Sequence, residues 1–148
     1  MKVPYFVVPI IVGIIIQFIK IVIDFCIEKT VNLEHLWRAG GFPSVHSGVS
    51  GSICFLGFWV LGYDSFGFAA CVTFSVLFCY DAMNVRYEAW QHAKYLNTLR
   101  IEISDLMNFT QNYNLLKERL WHTIQEVSGG ILIGVLLSYF LVIVLWIK

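Results

Sequence analysis

Residues 127–147 read VSGGILIGVLLSYFLVIVLWI, 21 consecutive positions without a charge. About 20 helical residues cross the hydrocarbon core of a bilayer, and about 17 is the lower limit. This stretch therefore reads as a spanning helix. A second long run lies near the other end, where Val3 to Ile19 is charge-free over 17 residues and Ile21, Val22, Ile23 and Phe25 prolong it around a lone Lys20. Between them stand Ser47–Tyr63 (17 residues) and Ser65–Tyr80 (16 residues), parted only by Asp64. Joined, these two would make one implausibly long helix; separated, they form a tight helical hairpin. Every backbone polar group must be satisfied inside lipid, which excludes irregular spans, and no stretch alternates with the period of two that a barrel needs. The sequence predicts an all-α membrane bundle of about four transmembrane helices, with at least one further polar helix within residues 81–126.

Composition agrees. Of 148 residues, 58% are hydrophobic and only 14% charged, against about 25% charged in soluble domains. Such a chain cannot cover a globular surface with polar groups. The length argues for a single membrane-embedded domain over 1–148. Ten Lys+Arg balance ten Asp+Glu, so no basic field points to nucleic acid. As classes for the whole chain, disorder, a coiled coil and a secreted disulfide scaffold fit poorly. Lys2 precedes the first run, but no small-x-small cleavage site follows, and Pro4, Pro9, Gln17 and Lys20 interrupt it, so it reads as a retained span. The four cysteines, Cys26, Cys54, Cys71 and Cys79, form no CxxC and lie in or beside apolar runs, as packing residues do.

Four spans put both termini on one membrane face and residues 24–46 and 81–126 on the other. The second face holds Lys29, Arg38, Arg86, Lys94, Arg100, Lys117 and Arg119; the terminal face holds Lys2 and Lys148. The positive-inside rule places the polar segments in the cytoplasm, although basic residues that bind an anionic substrate would bias the same count. The expectation is a multi-pass protein of the cell membrane.

Small residues recur at fourfold spacing in two spans: Ser44, Gly48 and Ser52, then Gly130, Gly134 and Ser138. In lipid such rows let helix backbones approach closely, so the second and fourth spans should pack together. Each follows a polar cluster. The first is Gly40-Gly41-Phe42-Pro43-Ser44-Val45-His46-Ser47. Free N–H groups at such a helix start suit an anion, Ser44 adds a hydroxyl and His46 a proton donor of near-neutral pKa. The plain alternative is a capped helix with an interfacial histidine.

The second cluster, Lys117-Glu118-Arg119-Leu120-Trp121-His122-Thr123-Ile124-Gln125-Glu126, leads into the last span. His122 and Glu126 are four apart, which predicts a pair on one helix face. A carboxylate on one ring nitrogen fixes the tautomer and leaves the other as nucleophile or base; a metal site or a surface pair has the same spacing. Further, Asp81, Asn84, Glu88 and Gln91 share a helical stripe ending near His92, with Arg86 beside it, and this stripe lines a pocket, faces water or holds a metal.

The order GGFPSVHS, then YDAMNVR with a following HAKYLN, then LKERLWHTIQEVSGGILIG, resembles the divergent type 2 phosphatidic acid phosphatase family, integral membrane proteins related to acid phosphatases and vanadium-dependent haloperoxidases. The resemblance runs from Gln17-x-x-Lys20 to Gly134. In that superfamily a P-S-G-H segment binds phosphate and supplies an acid histidine, and a later H-x-x-x-D supplies the nucleophilic histidine and its orienting carboxylate. The resemblance implies His46 as acid, His122 as nucleophile and Glu126 as orienting group. Val45 stands where the superfamily has glycine, Glu126 where it has aspartate, and Leu116 where it has an arginine. The phosphate would then rest on Ser44, Lys20, Arg86, Lys117 and Arg119.

Two histidines, a carboxylate and basic residues without a complete ligand set point to a phosphatase that uses no metal and no cofactor, acting on a lipid phosphate or diphosphate in the membrane. Two other readings stay open: a membrane protein that binds or transports a phosphorylated lipid without hydrolysis, and an assembly or scaffold protein whose helices pack with partners. Self-association into a homo-oligomer also stays open.

Overall fold

A computed structural model describes residues 4–29, 40–107, 115–116 and 121–146. Among these residues there are five α-helices and no strand: α1 Val7–Glu28, α2 Val45–Leu61, α3 Phe66–Tyr80, α4 Arg86–Met107 and α5 Ile124–Trp146. The chain is an all-α membrane helical bundle. α1, α5 and the helix beginning at Phe66 are long and apolar enough to cross a membrane, and α2, at 17 residues, is shorter.

Local chemistry explains the boundaries. Pro9 falls in the first turn of α1, where its missing N–H would have no intrahelical acceptor in any case. Ser44 caps α2, its Oγ accepting from the Ser47 N–H. Gly62 ends α2 at a positive φ of 80°, and its N–H donates to Phe58 O. Ser65 then starts α3: its Oγ accepts from the Phe68 N–H at 3.1 Å and donates to Gly62 O at 2.9 Å. Four residues thus close the expected hairpin.

The further polar helix expected within residues 81–126 is present as α4, and it is continuous with the span before it. α3 runs through a π-helical turn, Asp81–Val85, directly into α4. After Gly67 the sequence has neither glycine nor proline until well past Met107, so nothing in it stops the helix when its character changes from apolar to polar.

α2 and α5 pack most closely, as the small-residue rows require. A Cβ on Gly134 would fall on the Gly48 carbonyl, and one on Gly130 on Ser44 O and Ser47 Oγ. The Ser52 and Ser138 hydroxyls meet at 2.7 Å in this seam. Against it lies one face of α1, where Val8, Val12 and Ile16 are buried at fourfold spacing. Lys20 is the next residue on that face and is only 1% exposed. The core stripe therefore carries a cation at its end.

Candidate functional site

His122 lies just before α5. Its Nδ1 is 3.0 Å from Glu126 Oε2, and the imidazole is 1% exposed. The pair was expected on one face of a helix; in the structure it straddles the helix start, because α5 begins only at Ile124. Thr123 is the capping residue. Its N–H donates to Glu126 Oε2 at 3.1 Å, and its Oγ1 accepts from the Glu126 N–H at 3.3 Å. This reciprocal arrangement is a capping box, and the pattern T-x-x-E that announces it was present in the sequence. Glu126 thus fixes the helix end and the histidine with one carboxylate.

An ionised carboxylate only accepts, so Nδ1 of neutral His122 carries the proton and Nε2 the lone pair. That Nε2 is buried and has no hydrogen-bond partner. Burial pushes the His122 pKa below its ordinary value, Glu126 opposes this, and the positive charges of Lys20 and Arg86 add to the downward push.

The His46 ring lies edge-on to that of His122, with centroids 6.2 Å apart. The two polar clusters, far apart in the chain, meet at one end of the helices. A backbone bond ties them, Ser44 N–H donating to Glu126 O at 3.1 Å. Lys20 approaches from α1: its Cε lies 3.1 Å from where a Cβ on Gly41 would stand, and Gly41 has a φ of 114°. Glycine is needed there for both reasons. The charges of Arg86, Lys20 and Asp81 all act on His46.

The π-turn completes the site. The Arg86 N–H bonds Asp81 O, five residues back, and the Ala82 carbonyl accepts from the His122 N–H at 3.0 Å. The same turn lets side chains five apart meet, so Arg86 Nε lies 3.2 Å from Asp81 Oδ2. The expected stripe is broken by this change of register: Asn84 and Glu88 are exposed, whereas Asp81 and Gln91 are half-buried. Trp121 packs on Tyr87 and Trp90, with ring centroids 5.2 and 6.1 Å away, which ties the residue before His122 to α4. Further along, Asn97 grips Leu116 by two bonds, accepting from its N–H at 2.9 Å and donating to its carbonyl at 3.0 Å.

Of the residues singled out in the sequence, His46, His122, Glu126, Lys20 and Arg86 are brought together. Ser44 lies alongside but is completely buried in the α2–α5 seam, its oxygens engaged by Ser47 and Gly48. Lys117 and Arg119, with Arg38, lie outside the described residues. Pro43 immediately precedes Ser44, the capping residue of α2. No group of three His, Cys, Asp or Glu side chains among the described residues is arranged to hold a metal ion. Sequence reasoning missed the Ala82 carbonyl, which no side-chain pattern marks.

Fold and site define a helical membrane protein with a carboxylate-oriented histidine facing a second histidine and two cations. Residues 1–137 match the Divergent PAP2 family, and the chain belongs to that family. It is 31% identical over 131 residues to the uncharacterized membrane protein YuiD of Bacillus subtilis (strain 168), covering 82% of this chain and 83% of the relative. No solved structure matches.

Proposed function

We propose that the protein is a multi-pass phosphatase of the cell membrane that hydrolyses a lipid phosphate or diphosphate through a phosphohistidine on His122, without a metal or other cofactor. The observation that carries this reading is the buried, unpartnered His122 Nε2. Leaving a buried polar atom unpaired costs about 1–3 kcal/mol, and here its opposite nitrogen is locked by Glu126. The locked ring presents a lone pair beside His46, Lys20 and Arg86, a surrounding suited to a phosphate. An apolar groove of about 390 Å³, lined in part by Ser50, Cys79, Tyr80, Met83 and Ile131, runs beside the π-turn and supports a substrate with a hydrocarbon tail.

In this mechanism Nε2 attacks phosphorus, forming the P–N bond as the P–O bond to the lipid breaks. Protonated His46 donates its proton to the leaving oxygen. His46 then accepts a proton from water, whose oxygen attacks phosphorus, breaks the P–N bond and releases phosphate and neutral His122. Lys20, Arg86 and the N–H groups of the first turn of α2 stabilise the charge on the equatorial oxygens. Ser44 fixes that turn, and Lys117 and Arg119 would add charge from the segment before His122.

The test is phosphate release by the purified protein from a panel of lipid phosphates and diphosphates, with and without chelator. Release that persists in chelator and is inhibited by vanadate supports the reading; release that needs a divalent ion overturns it. A second reading, binding or transport without hydrolysis, is favoured by the burial of Ser44 and the pairing of Arg86 with Asp81, which leave a smaller phosphate clamp. Binding of a lipid phosphate without turnover would select it.

A further inference from the structure

From the end of the π-turn, α4 carries a seam, apolar but for His92, that the described residues leave exposed. Val85, Ala89, His92, Leu96, Leu99, Ile103 and Leu106 follow one another at spacings of four and three in strict alternation. That is the a/d pattern of a heptad repeat. All seven are exposed, and the four large ones toward the end are Leu96 (54%), Leu99 (52%), Ile103 (53%) and Leu106 (84%). Scattered apolar residues on a surface need no explanation. Four consecutive heptad positions do.

Length and polarity argue against the lipid interior as what covers them. α3 and the π-turn together rise about 30 Å from Phe66, enough by themselves to cross the hydrocarbon core, and along this helix, Asp81 apart, the charged residues begin only after them. None of the charged residues of α4 falls on the seam: Arg86, Glu88, Arg100 and Glu102 flank it, and Lys94 and Asp105, by their sequence positions, are farther round the helix. A helix lying on the membrane surface would need a broad apolar face with a 3.6-residue period. The α4 seam is narrow, with a period of 3.5, which is that of a left-handed supercoil of two helices. Tyr95 flanks it; Ile101, also exposed, is the one large aliphatic residue between Leu96 and Leu106 that stands off it.

We propose that a second copy of this chain covers the seam, the two α4 helices forming a parallel coiled coil. Because α4 continues α3, two copies inserted the same way in one bilayer present their seams parallel and in register, Leu96 to Leu96 and Leu99 to Leu99. At the flanking positions Tyr95 then faces Arg100, and no like-charged pair arises there. One flank of the seam is occupied within each copy, where Ala93 and Asn97 are buried and Asn97 holds Leu116, so the second helix meets the seam from the Tyr95 side. Three heptads are few for a free dimer, but confinement to a membrane raises the effective concentration of the second helix. The proposal is independent of any catalytic role.

The experiment uses the full chain in detergent and in lipid nanodiscs. Mass measurement should find two copies per particle for the native protein and for Thr98→Glu, and one copy for the double variant Leu99→Glu, Ile103→Glu. Single cysteines introduced at 96, 99 or 103 should form intermolecular disulfides on mild oxidation above the native background, and those at 98 or 101 should not. If the double variant fails to fold by circular dichroism, this periodicity decides. A native protein that is single in both environments, whatever lipid or other protein then covers α4, overturns the proposal. So does a dimer indifferent to the two glutamates, or cross-linking without the three-four rhythm.

Discussion

The backbone N–H of His122 donates to the carbonyl of Ala82 at 3.0 Å, joining the approach to α5 to the π-helical turn between α3 and α4. A regular α-helix would pair the Ala82 carbonyl with the Arg86 N–H; the π-turn gives that N–H to Asp81 instead. One extra residue in a helical turn, a feature often found at functional sites, therefore fixes the backbone of the histidine and pairs Arg86 with Asp81. The Arg86 charge is then close enough to act on His122.

Under the proposed mechanism the two histidines differ in consequence. His122→Ala removes the atom that bonds phosphorus and should abolish phosphate release. General acid catalysis is worth about 10²- to 10⁴-fold, so His46→Ala should leave a measurable rate on substrates with good leaving groups. Full activity in His122→Ala would refute the mechanism.

The pH profile should be bell-shaped, since the nucleophile must be neutral and the acid protonated. His122 is held below its ordinary pKa of about 6.5, so the acidic limb should lie below that pH. Lys20→Met removes one positive charge that lowers it, which should move the acidic limb to higher pH.

The same shift affects stability. Between the lowered folded pKa and about 6.5, the unfolded chain binds more protons at this residue than the folded one does. The contribution of His122 should be intact above about pH 6.5, weaken as pH falls through this window, and level off below it. Thermal unfolding followed against pH should show this dependence in the native protein and less of it in His122→Gln.

Gly134→Ala places a methyl group against the Gly48 carbonyl, which as backbone cannot move aside. Overpacking of this kind costs about 1–3 kcal/mol, to be read from the unfolding midpoint in detergent. Gly67→Ala meets only the end of the Leu61 side chain and should cost less. Equal losses would mean that the α2–α5 seam is less tight than it looks.

Asn97→Ala removes both bonds to the Leu116 backbone. At about 0.5–1.5 kcal/mol for each hydrogen bond, the unfolding midpoint should drop. Phosphate release should fall with it if this clamp helps to position His122. Asn97→Asp retains the acceptor for the Leu116 N–H and should recover part of the loss.

The sequence by itself determined the elements and much of their pairing. Charge-free runs of spanning length specify the helices, because lipid leaves the backbone no other way to satisfy its polar groups. The rows Ser44-Gly48-Ser52 and Gly130-Gly134-Ser138 specify which two helices touch, because only small residues allow that approach. The four-residue spacing of His122 and Glu126 marked the pair, though not the helix start that it bridges. Tertiary structure alone decided the rest. Lys20 is buried because it continues the Val8-Val12-Ile16 face of α1, and the target of that face is set by α2 and α5. The π-turn has no residue signature, and the bond from His122 to Ala82 runs between backbone groups that every residue except proline shares. Such contacts depend on where the chain passes, which the identity of the residues does not encode locally.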